Sequence, residues 1–169
     1  VAPLLDLIGK VEGGSGGYNA VVGSQPNPKL SQMTIGEAMD YQLALRKAGK
    51  GTAIGKYQIT QPTFTSLTRD MLLDPGSPVR FDPEMQDQMA LKLMQRRGLD
   101  DYLSGKVTKE QFAIELSKEW RGLPDPRTGK TYNDKDAAKN KALVLPKAVL
   151  QIIDSLPKGP QAQKKKEPE

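Results

Sequence analysis

Two residue types are missing from this chain altogether: it has no cysteine and no histidine in 169 residues. Without cysteine there is no disulfide framework and no thiol nucleophile. Without histidine, Ser-His-Asp and Cys-His chemistry and the usual zinc sites are excluded, and no metal or cofactor is expected. Aromatic residues make up only 5%, so the core must rest on Leu, Ile, Val, Met and Ala. No apolar run approaches the roughly 18 residues of a membrane span, and no signal peptide is visible. An enzyme built from this composition must use carboxylates to move protons.

What is present is mildly basic. Lysine and arginine number 25 against 20 acids, a net charge of +5. Part of the excess lies in Lys158, Lys164, Lys165 and Lys166, opposed locally by Glu167 and Glu169. This balance fits an anionic polymer or surface and is too diffuse to indicate nucleic acid. The length fits one domain. Residues 1–156 carry the apolar patterning, and 157–169 read as a disordered basic tail or linker. The chain begins at Val1 rather than Met, as a domain cut from a longer polypeptide or a processed one would.

The remainder is organised around Leu4 to Gly23. Leu4, Leu5, Ile8 and Val11 recur at the spacing of one helix face, with Leu7 close by. Pro3 suits the first turn. Glu12 lies on the Leu5–Ile8 side, one residue before Gly13 and Gly14 end the helix. Burial and the negative end of the helix dipole both disfavour a charged acid there, which is what a general acid near neutral pH requires. A solvated glutamate in a last turn has the same local sequence.

Gly13, Gly14, Gly16 and Gly17 bracket Ser15 in a loop, but no phosphate-binding motif follows. Tyr18 to Val22 reads as a short strand. Thr34 and Glu37 have capping-box spacing for a helix to about Lys47, with Ile35, Ala38, Met39 and Leu45 inward. The glycine-rich Ala48–Thr60 stretch fails as a nucleotide loop, because position 50 is Lys and Tyr57 follows Lys56. It reads instead as a turn into an extended piece, Lys56 to Ile59. Pro62 opens a third helix bearing Phe64, Leu67 and Met71. Asp82-Pro83 caps a fourth whose stripe is Met85, Met89, Ala90, Leu93 and Met94. A methionine stripe of this kind is a core feature more often than a binding groove. Leu99 to Leu103 makes a short helix, and Thr108 with Gln111 caps another bearing Phe112, Ala113, Leu116 and Trp120. Arg127 to Asn133 is a polar loop. Two last helices, Asp136 to about Leu145 and Lys147 to Leu156, are expected on either side of a kink or break at Pro146. The whole predicts an α+β, mostly helical fold. A helical lobe and a small strand-containing lobe, spanning Tyr18 to Ile59, would flank a cleft.

Several segments fall in one order: Val11-Glu12-Gly13, Tyr18 to Gly23, Gly51 to Ile59, Phe81 to Leu91 leading to Arg97-Gly98, and Trp120-Arg121-Gly122-Leu123-Pro124. This order resembles the phage lambda-type endolysins, a lysozyme-like family of peptidoglycan lytic transglycosylases, over Leu4 to Pro124. Gly55-Lys56-Tyr57-Gln58-Ile59 also resembles the Gly-x-x-Gln-Ile motif of the wider transglycosylase and goose-type lysozyme group. The resemblance implies that Glu12 is the catalytic glutamate and that Tyr57 and Gln58 line the glycan cleft, with Tyr18 on its wall. Trp120 matches a family tryptophan, as a sugar-stacking ring or a core aromatic. Tyr57 and Gln58 equally suit an ordinary strand beside a glycine turn. The Ser24 to Lys50 insert and the lysine-rich tail depart from the family.

The implied substrate is the glycan strand of peptidoglycan, attacked in the bacterial periplasm or cell wall by a phage-encoded protein. Both a free endolysin and part of a longer virion protein fit. Hydrolysis requires two carboxyls, about 5–5.5 Å apart for retention or about 6.5–9.5 Å for inversion. A lytic transglycosylase requires one. Two alternatives stay open: a hydrolytic lysozyme with Asp40 or Glu37 as second acid, and a module that binds glycan without cutting it.

Overall fold

The computed structural model describes residues 1–132 and 142–158. They form two compact units, Glu12–Lys92 and Val1–Val11 with the described residues from Leu93 on. Helices dominate: α1 (Ala2–Glu12), α2 (Ile35–Lys47), α3 (Gln61–Asp70), α4 (Pro83–Arg96), α5 (Leu99–Leu103), α6 (Lys109–Glu119) and α7 (Pro146–Asp154). Two short 3-10 turns, Gly14–Asn19 and Leu30–Gln32, lie between α1 and α2.

Local capping explains why several helices start where they do. The Thr34 hydroxyl accepts the Glu37 N–H (3.2 Å) while the Glu37 carboxylate accepts the Thr34 N–H (3.0 Å). Thr108 and Gln111 repeat the box at 3.1 and 2.8 Å. The Asp82 carboxylate accepts the Met85 N–H at 2.9 Å ahead of Pro83. Each cap satisfies an N–H that the first turn would otherwise leave unpaired. Helix α1 runs to Glu12 with Leu4 and Ile8 fully buried.

In the Glu12–Lys92 unit, α2 and α3 pack together, and Phe64 meets Phe81 edge to face with centroids 5.2 Å apart. A polar side chain sits in this core. Gln42 is completely buried, and its amide donates to the carbonyls of Thr52 and Ile59, both at 3.0 Å. Those carbonyls bracket the glycine-rich turn, so Gln42 clamps the turn to α2. In the other unit α6 packs against α5 and α7. Tyr102 stacks on Phe112 at 5.4 Å and its hydroxyl donates to the Ile153 carbonyl at 3.0 Å. Beyond α6, the polar loop is organised by Asp125, whose carboxylate takes the Arg127 N–H at 2.9 Å and its guanidinium at 2.7 Å.

The expected strand lobe is not found. Among the described residues, extended pairing amounts to three isolated bridges: Val21 with Ile54, Ile54 with Ile59, and Thr34 with Arg80. The expected Tyr18–Val22 strand is reduced to the single bridge at Val21: Tyr18 and Asn19 belong to the 3-10 turn, because Gly17 (φ 55°, ψ −132°) redirects the backbone just before Tyr18. The expected extended piece Lys56 to Ile59 is mostly a turn, closed by the Ile54–Ile59 pair, with Gly55 (φ 82°) and Gln58 (φ 50°) left-handed. Of the expected kink or break at Pro146, there is no kink: Pro146 itself opens α7, one residue before the expected start at Lys147, since its preset φ suits that position. Residues 142–145 are not helical. The rest of the expected Asp136–Leu145 helix, residues 136–141, lies outside the described residues, as does the tail from 159 on.

Replacing Gln42 with Leu should keep the volume but remove both amide donors, leaving the Thr52 carbonyl unpaired. A loss of about 1–3 kcal/mol is expected from urea unfolding. An unchanged midpoint would show that the clamp contributes nothing.

Candidate active site

Glu12, half-buried, is the last residue of α1. The chain leaves it through Gly13, which is pressed against the turn that follows Ile54. A Cβ on Gly13 would lie 2.7 Å from the Lys56 carbonyl oxygen and 3.0 Å from the Lys56 Cα. No side chain fits in that gap, so the glycine lets the acid's backbone approach Lys56-Tyr57 closely.

Four side chains cluster there. The Tyr57 hydroxyl donates to Asp87 Oδ1 at 2.6 Å, and the Tyr18 hydroxyl donates to the same oxygen at 3.0 Å. Lys56 Nζ lies 3.4 Å from the Tyr18 hydroxyl, 4.8 Å from the Tyr18 ring centroid and 5.6 Å from that of Tyr57. Tyr57 is almost wholly buried (1% exposed), whereas Tyr18, Lys56 and Asp87 are half-buried.

The neighbouring residue of α4 fixes the backbone beneath them. Gln86, fully buried, accepts the Lys56 N–H at 2.9 Å and donates to the carbonyls of Tyr18 and Phe81, both at 3.0 Å. Gly55 is forced by the same contact, because its Cβ would fall 2.5 Å from Gln86 Oε1. The Gly55 N–H donates to the Ala20 carbonyl at 2.8 Å.

The sequence candidates therefore divide. Glu12, Tyr18, Tyr57 and Gln58 all belong to the Glu12–Lys92 unit. Gln58, half-buried, turns its amide back onto the Gly55 carbonyl at 3.0 Å, so it braces the turn. Trp120 belongs to the other unit, at the C-terminal cap of α6, and only 3% of it is exposed. Little of its ring is available to a sugar. The Glu37 carboxyl is held below its ordinary range by the Thr34 N–H it accepts, and Asp40 is exposed on α2. A groove of about 420 Å³ lined by Arg97, Gln111, Phe112 and Glu115 contains none of these candidates. Among the described residues no group of three or more Asp or Glu is placed to hold a metal.

Sequence reasoning missed Gln86, Asp87 and the role of Lys56. One signal was available. Gln86, Met89, Ala90 and Leu93 share one helix face, so Gln86 is a polar residue on a buried stripe.

Burial first, and then the hydrogen bond to Asp87, push both the Tyr18 and Tyr57 phenols above their ordinary range, Tyr57 the further. Followed by phenolate absorbance, these two should ionise after pH about 10, and Tyr57→Phe should remove the latest component. The folded state holds these protons more tightly than the unfolded chain. Their contribution to stability is thus complete below pH about 10 and falls away as pH rises beyond it. If every tyrosine titrated together near pH 10, the pairing with Asp87 would be wrong.

No helix among the described residues is long and apolar enough to cross a membrane. No curated protein and no solved structure matches the chain. A protein-family model described as Endolysin matches residues 4–143. That match takes in the helix-end acid, the tyrosine pair and the α4 residues that hold them, and it covers most of the sequence. The chain therefore belongs to the endolysin family, phage-encoded enzymes that degrade the peptidoglycan of the bacterial cell wall.

Proposed function

We propose that this endolysin is a muramidase acting as a lytic transglycosylase on the β-1,4 bond between N-acetylmuramic acid and N-acetylglucosamine, with Glu12 as its one catalytic group. The observation that carries the reading is the position of Glu12 at the helix end, where Gly13 packs on the turn that bears Tyr57. Glu12 ends α1 beside the Lys56-Tyr57 turn, whereas Glu37 closes a capping box and Asp40 lies on an exposed helix surface. Asp87 is engaged by two phenols. Tyr18 and Gln58 would form the wall along the glycan, with the buried Tyr57 anchoring it from behind. Trp120 then serves as a core aromatic.

The chemistry needs one carboxyl in two roles. Protonated Glu12 donates to the glycosidic oxygen as the C1–O bond of muramic acid breaks. The substrate's own N-acetyl group stabilises the cation. The carboxylate so formed takes the proton of the C6 hydroxyl as that oxygen bonds to C1, giving the 1,6-anhydro ring and restoring the acid. The C6 hydroxyl is tethered to the reacting ring, so its effective concentration far exceeds that of a water lacking a base. In the hydrolytic alternative a second carboxylate would activate that water and the product would carry a reducing end.

Glu12→Gln should preserve the fold and glycan binding while lowering cleavage by on the order of 10²–10⁴-fold or more, since the amide cannot donate and retake the proton. Near-normal clearing of a cell-wall suspension by this variant would remove Glu12 from the mechanism.

Product analysis is the sharper measurement. Mass spectrometry of released muropeptides should find 1,6-anhydro-N-acetylmuramic acid ends, lighter than hydrolytic products by one water. Asp40→Asn and Glu37→Gln should each keep most activity. Reducing-end products together with an inactive Asp40→Asn or Glu37→Gln enzyme would establish the hydrolase instead.

A further inference from the structure

We propose that Asp87 is a positioning residue that locks Tyr18 onto the buried Tyr57 as a single wall beside Glu12 and makes the Tyr18 hydroxyl an acceptor toward the glycan. The proposal rests on the Glu12 reading for the location of the substrate, but its geometry stands on its own. Two phenols, 39 residues apart in the chain, converge on one carboxylate oxygen at 2.6 and 3.0 Å. An ionised carboxylate only accepts, so both phenol protons are directed at Asp87 and neither hydroxyl is free to rotate its proton toward a ligand. Lys56 Nζ approaches the Tyr18 hydroxyl from its acceptor side at 3.4 Å. The half-buried Tyr18 can then meet a sugar only through oxygen lone pairs, which suits the amide N–H of an acetamido group or a sugar O–H. Tyr57, buried to 1% exposure, supplies the anchored second ring.

Helix α4 makes the arrangement rigid through two successive residues. Gln86 holds the Lys56 N–H and the Tyr18 carbonyl, while Asp87 holds the Tyr57 and Tyr18 side chains. The same two segments are thus gripped at main chain and side chain together. Gly13 in turn packs on Lys56, so the orientation set by α4 reaches the residue next to the catalytic acid. The upward displacement of both phenol ionisations agrees with a shared anionic acceptor.

A positioning role predicts a different pattern from a catalytic one. Asp87→Asn keeps an acceptor oxygen, so binding to purified peptidoglycan sacculi and turnover should stay within about threefold of the parent. Asp87→Ala removes the acceptor, and should raise KM and weaken sacculus binding by about tenfold or more with a smaller change in kcat. In both variants the late phenols should titrate earlier, because the negative charge is gone. Products should keep the parent's ends. An Asp87→Asn enzyme as inactive as Asp87→Ala would overturn the proposal and make Asp87 a catalytic carboxylate. An Asp87→Ala protein with parental binding and unmoved phenols would overturn it as well. Should Asp87→Ala fail to fold, Tyr18→Phe and Tyr57→Phe carry the test: together they should cost less than the product of their separate effects, and independent effects would refute a common anchor. Binding and phenol titration do not need turnover, so an error about Glu12 would show in Glu12→Gln and leave these readouts intact.

Discussion

The candidate site depends on one buried amide. Gln86 has no exposed surface, and its two ends bond the Lys56 N–H and the carbonyls of Tyr18 and Phe81. These groups belong to three stretches of chain that make no sheet with one another. In a sheet the backbone would satisfy itself. Here a side chain performs that task, and it must be complete, because each buried group left unpaired costs about 1–3 kcal/mol. Gly55 follows from the same contact, since any side chain would collide with the Gln86 oxygen. Gln42 does the corresponding work from α2, gripping the carbonyls at either side of the turn. Two buried glutamines thus hold the region where a small strand-containing lobe was expected.

That design bears on the chemistry. In the proposed mechanism a single acid acts first as donor and then as acceptor, which would need its substrate held still through two proton transfers, and precision of that kind comes from rigid neighbours. The Lys56-Tyr57 turn is held by α2, by α4 and by its own Gln58 brace, while Gly13 brings Glu12 against it. The acid itself sits on a helix end whose other turns are anchored by Leu4 and Ile8. Histidine and cysteine are absent, so carboxylates are the groups expected to move protons, and two of the other acids have structural roles. Glu37 serves a cap, and Asp125 organises a loop around Arg127.

Much of the fold was legible because its signals are local. The capping boxes at Thr34 and Thr108 and the Asp82-Pro83 start each join residues three apart, so spacing alone reveals them. The end of α1 at Glu12, the short helix Leu99–Leu103 and the inward Met89 and Met94 were legible for the same reason. The Tyr18–Val22 strand was misread. Its β-branched and aromatic residues favour extension, but the glycines before Tyr18 permit a 3-10 turn that propensity does not register. The place of Pro146 was ambiguous, because one ring either breaks a helix or starts one and only the surrounding chain decides.

By itself, the sequence determined most of the helical segments, the exclusion of thiol and imidazole side chains, and an acid at the end of the first helix. These follow from residue identity and from bonds within a turn or two of chain. Only the tertiary structure decided that Tyr18 and Tyr57 meet on Asp87, that Gln86 and Gln42 replace a sheet, and that Trp120 is buried. The Tyr18–Asp87 bond joins residues 69 apart, and the Tyr57–Asp87 bond residues 30 apart. No periodicity encodes such a pairing; it exists only once separate helices and turns have packed.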